Sequence, residues 1–500
     1  KLSNPHYRPE IAAQTTLINF LVTEKGLQDQ LLAKVVELEE PSLEETSAKL
    51  REDFNRYKID LLELENQLLE RLSNAPDDIL SDVALIEGLE DTKRTVTEIN
   101  AAVEKGKEMQ KNIDLARNVY VPVAAEAAML YFLLNELKQI DHMYQYSLDS
   151  FLVFFFKALK RAVKSEDIAQ RVENLRGNLR IVVYTWITRG LFQRDIEILL
   201  AALVFQLVSR KVIGTESGYS AEAMDWLMRG GVDVEPDDEN SIEWLPDNTW
   251  AACSSLSRMN GFETFTSDLV ESAPRFREWF NLGNPETEKL PLDWRELDKS
   301  PFLKLLAVRA LRPDRMSAAL KKFIGDTLPG GNFFVDVDAQ LNSYQILENL
   351  YEDSTSTTPL YFILSPGVDI LSDVEKLAKK CGMEFGSNFF NISMGQGQDT
   401  IATEKIESGH AHGHWVMLNN VHLMPKWLVK LQMMLDAMVQ EGSHENFRLF
   451  LSSDPAKSIP VSILDRSIKL TNEPPSGLKA NLKRSFRSFS KGDFEELEQK

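Results

Sequence analysis

Cysteine is scarce. Cys253 and Cys381 are the only two in 500 residues, too few and too far apart for a disulfide framework. Small disulfide-stapled secreted folds are thereby excluded, and reduced thiols in a cytosolic or ciliary compartment fit better. Long apolar runs are missing too. The longest, residues 151–156, is closed by Lys157 and falls far short of the roughly 20 residues a membrane helix needs. It reads instead as the heart of a buried helix. Positive charge is also in deficit: 56 Lys and Arg stand against 76 Asp and Glu, a formal charge of −20. So negative a surface repels nucleic acid and anionic membranes unless a basic patch overrides it, and none is found. There is no initiator Met and no signal peptide, and the chain stops inside a charged helical pattern. Both ends therefore read as cut from something larger.

What is present is ordinary globular composition, 43% hydrophobic and 26% charged, in a chain long enough for two or three cores. After a strand-like stretch at residues 15–23, the pattern turns helical for about a hundred residues. Leu50, Phe54, Tyr57, Leu61, Leu64 and Leu68 recur at alternating spacings of four and three, with mainly charged or amide residues between them. That is a heptad seam, one apolar stripe on a helix. The run Ser73-Asn74-Ala75-Pro76-Asp77-Asp78 breaks it, since Pro cannot continue a helix and Asn and Asp favour turns. A second seam follows through Leu85, Leu89, Thr92, Val96, Ile99 and Val103. Two matched seams joined by a tight turn predict an antiparallel coiled-coil hairpin whose arm reaches roughly 50 Å at 1.5 Å per residue. An ordinary helical hairpin inside a domain, or a dimerising coiled coil, are the alternatives. The polar outer faces favour a projecting arm, which suits a brace or docking element.

Residues 120–230 read as core helices, for example over 124–137, 146–162 and 179–213. The Pro- and acid-rich run at 233–239 marks a module boundary. Residues 241–301 carry Trp, Asn and Pro without a clear pattern, and no elements are assigned there. Beyond residue 300, short apolar runs at 359–364, 389–394, 415–418 and 447–451 alternate with helical stretches such as 369–381 and 426–440. Buried strands separated by helices predict an α/β fold with a doubly wound, mostly parallel sheet. In such sheets ligands bind beyond the carboxyl ends of the strands.

The first run leads into Ser365-Pro366-Gly367-Val368-Asp369, the strand–loop–helix setting of a phosphate-binding loop. A working loop needs glycine-rich backbone, a Lys for the phosphate oxygens and a Ser or Thr for magnesium. Here one Gly remains, Pro366 removes an amide donor, and no Lys-Ser/Thr pair opens the helix. The third run ends in Asn419-Asn420, where an ATPase of this layout carries Asp-Glu. Asn supplies neither the carboxylate that organises magnesium nor a base to orient water. Loop and acids are lost together, so no nucleotide hydrolysis is expected here. Gly395-Gln396-Gly397 reads as a turn, not a phosphate cradle. His410, His412 and His414 read as a solvated loop before a strand rather than a zinc or nickel site, because no Cys or carboxylate in the tract completes a tetrahedral set.

Residues 9–31 echo residues 460–482: Pro9, Gly26, Leu27 and Leu31 align with Pro460, Gly477, Leu478 and Leu482 at one constant offset. The chain thus reads as starting at the end of one α/β module and running through the next. The strings Leu364-Ser365-Pro366-Gly367-Val368-Asp369, Met394-Gly395-Gln396-Gly397-Gln398, Trp415-Val416-Met417-Leu418-Asn419-Asn420-Val421-His422-Leu423 and Thr471-Asn472-Glu473-Pro474-Pro475-Ser476-Gly477 resemble the sixth AAA+ module of dynein heavy chains. Asn4-Pro5-His6-Tyr7 and Met143-Tyr144-Gln145-Tyr146-Ser147-Leu148 resemble the fifth. The Gly-Gln-Gly-Gln string and the Asn-Pro-His-Tyr opening look axonemal, of outer-arm type.

The resemblance implies a P-loop-like AAA+ module with an all-α small subdomain and a protruding hairpin. On that plan, 1–25 end the fifth large subdomain and 26–118 hold the strut or buttress, with its tip near 73–80. Residues 119–235 form the fifth small subdomain, 236–472 the sixth large subdomain, and 473–500 begin the sixth small one. It further implies a non-catalytic segment of an ATP-driven, minus-end-directed microtubule motor in the cytoskeleton of a cilium or flagellum. No cofactor is then expected in this segment; ATP and magnesium belong to other modules of the parent motor. The expected partners are the other modules and stalk, light and intermediate chains, other heavy chains, and microtubules through the parent motor. Arg466 falls where AAA+ modules often place an arginine finger, with a structural interface role expected. The alternatives are an AAA+ ATPase or remodelling module with an unusual site, and a coiled-coil scaffold.

Overall fold

Thr23 starts the first described helix by accepting the Gly26 N–H on its hydroxyl at 3.1 Å, a side-chain cap that satisfies one otherwise orphan donor. The structure is a computed structural model that describes residues 15, 22–73, 83–214, 218–230, 239–335, 343–365, 368–473 and 482. The strand-like stretch at 15–23, the hairpin tip, the acidic run at 233–239, Pro366, Gly367 and nearly all of 474–500 therefore lie largely or wholly outside the described residues. So do the side chains of Leu68, Leu85 and Leu89.

In chain order the helices are α1 (Glu24–Glu39), α2 (Pro41–Ser73), α3 (Val83–Asn118), α4 (Val121–Glu136), α5 (Leu148–Arg161), α6 (Ile168–Thr188), α7 (Gln193–Ser209) and α8 (Ala221–Arg229). Short helices follow: α9 (Asp247–Ser257), α10 (Phe265–Glu271), α11 (Ala273–Phe280), α12 (Pro301–Leu311), α13 (Met316–Thr327), α14 (Gly331–Val335) and α15 (Ser343–Asp353). Strands then alternate with helices: β1 (Leu360–Leu364), α16 (Leu371–Lys380), β2 (Phe389–Ser393), α17 (Asp399–His412), β3 (Trp415–Asn419), α18 (Pro425–Glu441), β4 (Arg448–Ser453), α19 (Val461–Arg466) and β5 (Ile468–Asn472). The chain divides into two compact units, Lys1–Phe132 with Phe155–Val182, and Leu133–Phe154 with Val183–Lys500. Among the described residues no helix is long and apolar enough to cross a membrane.

In the first unit, α2 and α3 pack side by side. Glu44 lies 3.8 Å from Arg117, and Phe54 lies against Gly106, so the two helices run antiparallel. The seam residues Leu50, Phe54, Tyr57, Leu61, Leu64, Val96 and Val103 are half-buried and Ile99 is buried, while the intervening Lys49, Arg51, Lys58 and Lys93 are exposed. Gly106 is required by the closeness of the approach, since a Cβ there would sit 2.9 Å from Phe54 Cζ. Away from this pair, α4 is apolar on nearly every side and buries Val123, Ala124 and Ala127. One carboxylate goes in with them. Glu126 is 3% exposed and receives Nη2 of Arg180 at 2.9 Å and Nε of Arg176 at 2.8 Å. Removing either side of such a buried pair strands a charge in the core, which costs far more than the pair contributes. Arg171 similarly clamps Glu39 with two bonds at 2.8 and 2.7 Å.

In the second unit, the four apolar runs and the segment after Arg466 form one parallel five-stranded sheet in the order β2-β3-β4-β1-β5. Strands buried on both faces lose the alternating pattern, which is why they read as short continuous apolar runs. Trp415 is fully buried, with ring centroids 5.1 Å from Phe450 and 5.1 Å from Tyr351. The expected continuous helix over 179–213 is corrected to two. Helix α6 ends at Thr188 and α7 starts at Gln193, because the turn between them gives its carbonyls to β5. Thr471 N–H donates to Arg189 O at 2.8 Å and the Thr471 hydroxyl to Leu191 O at 2.6 Å. Gly190 permits the approach, since a Cβ there would meet Lys469 Cβ at 2.9 Å. The unassigned stretch 241–301 proves to hold three short helices and two 3₁₀ turns, folded around Phe262, Phe265 and Phe276.

Candidate functional site

The carboxyl ends of β1, β4 and β3 lie next to one another, because β4 pairs with both β1 and β3. This is where a doubly wound sheet offers its ligand crevice. Ser365 follows β1, its N–H held by Asn472 O at 3.2 Å, and its carbonyl accepts from Val368 N–H at 3.1 Å. Asp369 turns its carboxylate onto the chain, accepting the Leu371 N–H at 2.9 Å just ahead of α16. That N–H, at the first residue of α16, is therefore already taken.

Asn419, the last residue of β3, is engaged at both ends of its amide. Its Nδ2 donates to Asn391 Oδ1 at 2.7 Å and its Oδ1 accepts from the Ser452 hydroxyl at 2.9 Å. The amide thus ties β2, β3 and β4 together as a neutral crosslink. A carboxylate at the same position has no donor to offer Asn391. Asn420 takes the left-handed conformation at φ 57°, which Asn tolerates better than most side chains. Beside it, His422 Nδ1 accepts the Asp454 N–H at 3.3 Å. Asn391 and Ser452 were not singled out from sequence. The available signal was a polar residue inside an otherwise apolar strand run (FFNIS, LFLSS).

Arg466 ends α19 and pairs with Asp436 of α18 on the same unit. Gly397 adopts φ 85° in the turn after β2, consistent with a turn role. The histidine tract is corrected. His410 and His412 belong to the last turn of α17, which Gly413 closes at φ 80°, and only His414 lies in the link to β3. The helix extends through the tract because Gly409 tucks against Phe447 and Val416, and Gly413 supplies the left-handed cap that a β-carbon disfavours. His414 is held below the ordinary imidazole range by burial and by neighbouring His412, Lys405 and His444. Among the described residues, no group of three His, Cys, Asp or Glu side chains is placed to hold a metal ion.

The comparisons with known proteins agree with this arrangement. The family profile described as the dynein heavy chain region D6 P-loop domain matches residues 355–471, the span of the parallel sheet, and that of the ATP-binding dynein motor region matches residues 1–99. The ciliary dynein beta chain of Heliocidaris crassispina is 42% identical over 99% of the chain. The chain belongs to the axonemal dynein heavy-chain family. Dynein axonemal heavy chain 9 of Homo sapiens is 41% identical over 99% of it, and the flagellar outer-arm dynein beta chain of Chlamydomonas reinhardtii 40% over 98%. The chain spans 11% of the length of each of these dyneins. Its fold is the AAA+ P-loop type of the dynein motor region, and its place is with the ciliary and flagellar axoneme.

Proposed function

We propose that this chain is a nucleotide-inert part of the ring of an ATP-driven, minus-end-directed microtubule motor of outer-arm type. On this reading it passes conformational change from the ATPase modules to the stalk through a coiled-coil strut made by α2 and α3. The carrying observation is Asn419, whose amide is spent on Asn391 and Ser452 at the point where magnesium would need a carboxylate. The half-buried seam between two long antiparallel helices supports the strut, because stacked apolar stripes let a slender arm carry load without a core of its own.

The module plan given from sequence, the end of a fifth module followed by most of a sixth, is part of the same proposal. The pairing of Arg466 with Asp436 supports a structural rather than a catalytic role for the finger position. ATP and magnesium then act in other modules of the same heavy chain. Microtubules, the stalk, light and intermediate chains and other heavy chains are reached through the parent motor. Isothermal titration of the chain with MgATP tests the central point. No heat of binding is expected through the millimolar range, and a micromolar dissociation constant refutes the inert site.

A further inference from the structure

The two edges of the sheet are treated differently. At β5 the α6–α7 turn lies on the edge, its carbonyls accepting from the Thr471 N–H and hydroxyl. At β2 it is open. Trp415 N–H donates to Asn388 O and Met394 N–H to Asn419 O, so residues 388 and 394 point their backbone groups at β3. Alternation along the strand then points Phe389, Asn391 and Ser393 outward. The Phe389 groups are used by the preceding turn, accepting from Gly386 N–H at 2.9 Å and donating to Glu384 O at 3.1 Å. Among the described residues no backbone partner takes the outward groups of Asn391 and Ser393. Natural edge strands are usually blunted by charge, proline or a bulge, and Phe389-Phe390-Asn391-Ile392-Ser393 has no charge and no proline.

A groove of about 510 Å³ runs along this edge. Phe385 closes one end at 65% exposed, and Ile401 of α17, 42% exposed, forms part of the wall. Lys405 is the only charged side chain in the lining. Its ammonium stands 4.7 Å from the Phe390 ring centroid and makes only a loose 3.9 Å approach to Glu404.

We infer that the β2 edge is a docking site for an extended polypeptide segment that adds as a sixth strand and sets an acidic side chain on Lys405. The outward groups of Asn391 and Ser393 give main-chain bonding, and the exposed Phe385 and Ile401 receive alternate apolar side chains of the incoming strand. A second copy of this chain is disfavoured, because two-fold pairing of the same edge sets Lys405 against its own counterpart with no acid in the lining.

The test is fluorescence anisotropy of the whole chain with a blocked probe peptide of about nine residues, alternating valine and threonine around a central glutamate. A matched probe has lysine at the centre. The glutamate probe is expected to bind about tenfold tighter than the lysine probe, a preference that Lys405→Glu reverses. Ser393→Pro removes an outward N–H without touching a β2–β3 bond and is expected to abolish binding of both. Near-ultraviolet circular dichroism checks that each variant is folded, and Lys405→Glu, a surface change, carries the test if Ser393→Pro does not fold. Absence of binding by either probe overturns the inference, as does equal binding to parent and variants. Sedimentation that shows a dimer lost in Ser393→Pro assigns the edge to a second copy and overturns the acidic-segment reading.

Discussion

Lys469 lies in β5, beside Tyr361 of β1, and is 3% exposed. Its ammonium donates to Gln145 O and stands 4.3 Å from the centroid of the Tyr146 ring. Burial pushes it down from 10.5 to about 7, opposed only in part by Asp465. The unfolded chain therefore holds a proton on this lysine up to about pH 10.5, whereas the folded chain releases it near pH 7. Between those values the unfolded state binds more protons, so stability rises with pH across this window and is flat below it. Lys469→Met keeps the stem's packing and removes the titration. Between pH 7 and pH 10 the stability gap between variant and parent is expected to close by roughly 3 kcal/mol, from just over 1 kcal/mol per pH unit of differential protonation. The variant is the more stable at pH 7. Urea unfolding of both proteins at matched pH values reads the gap, and differencing cancels the other titrating groups. A gap that stays constant with pH, or widens as pH rises, refutes the reasoning.

Leu61→Asp with Val96→Asp sets two carboxylates into the α2–α3 seam and is expected to separate the helices, at a cost on the order of 2 kcal/mol each. In the intact motor microtubule-stimulated ATP turnover should then uncouple, and normal stimulated turnover rejects the transmission role. Gly106→Val pushes a side chain into the Phe54 ring and should cost about 1–3 kcal/mol of the helix pairing, seen as a lower thermal midpoint of the helical signal. Glu126→Ala leaves Arg180 buried without its main partner, and a loss of about 3–5 kcal/mol in urea unfolding is expected. Asn419→Asp with Asn420→Glu restores the acids alone. It should not create MgATP binding by calorimetry, because no Lys-Ser/Thr pair follows the loop after β1, and the phosphates and magnesium require that pair.

The seams and the four apolar strand runs were legible in the order of residues. A heptad stripe and a run such as LYFIL are local consequences of which side chains must leave water, so they survive in one dimension. The absence of Lys and acids at the ends of β1 and β3 is equally local. The helix break at Gly190 was not legible, since the carbonyls of the turn are claimed by Thr471, some 280 positions away. The histidine tract was read as a loop before a strand, yet the helix runs through His412 and ends only at the left-handed Gly413. Sequence thus determined the long amphipathic helices and the apolar strand runs, because both depend on near neighbours. Only the tertiary structure decided that Asn419 crosslinks three strands, that Lys469 is buried, and that the α6–α7 turn lies on one sheet edge while the other stays open. Each of those depends on which distant residues arrive alongside, and no local pattern encodes that.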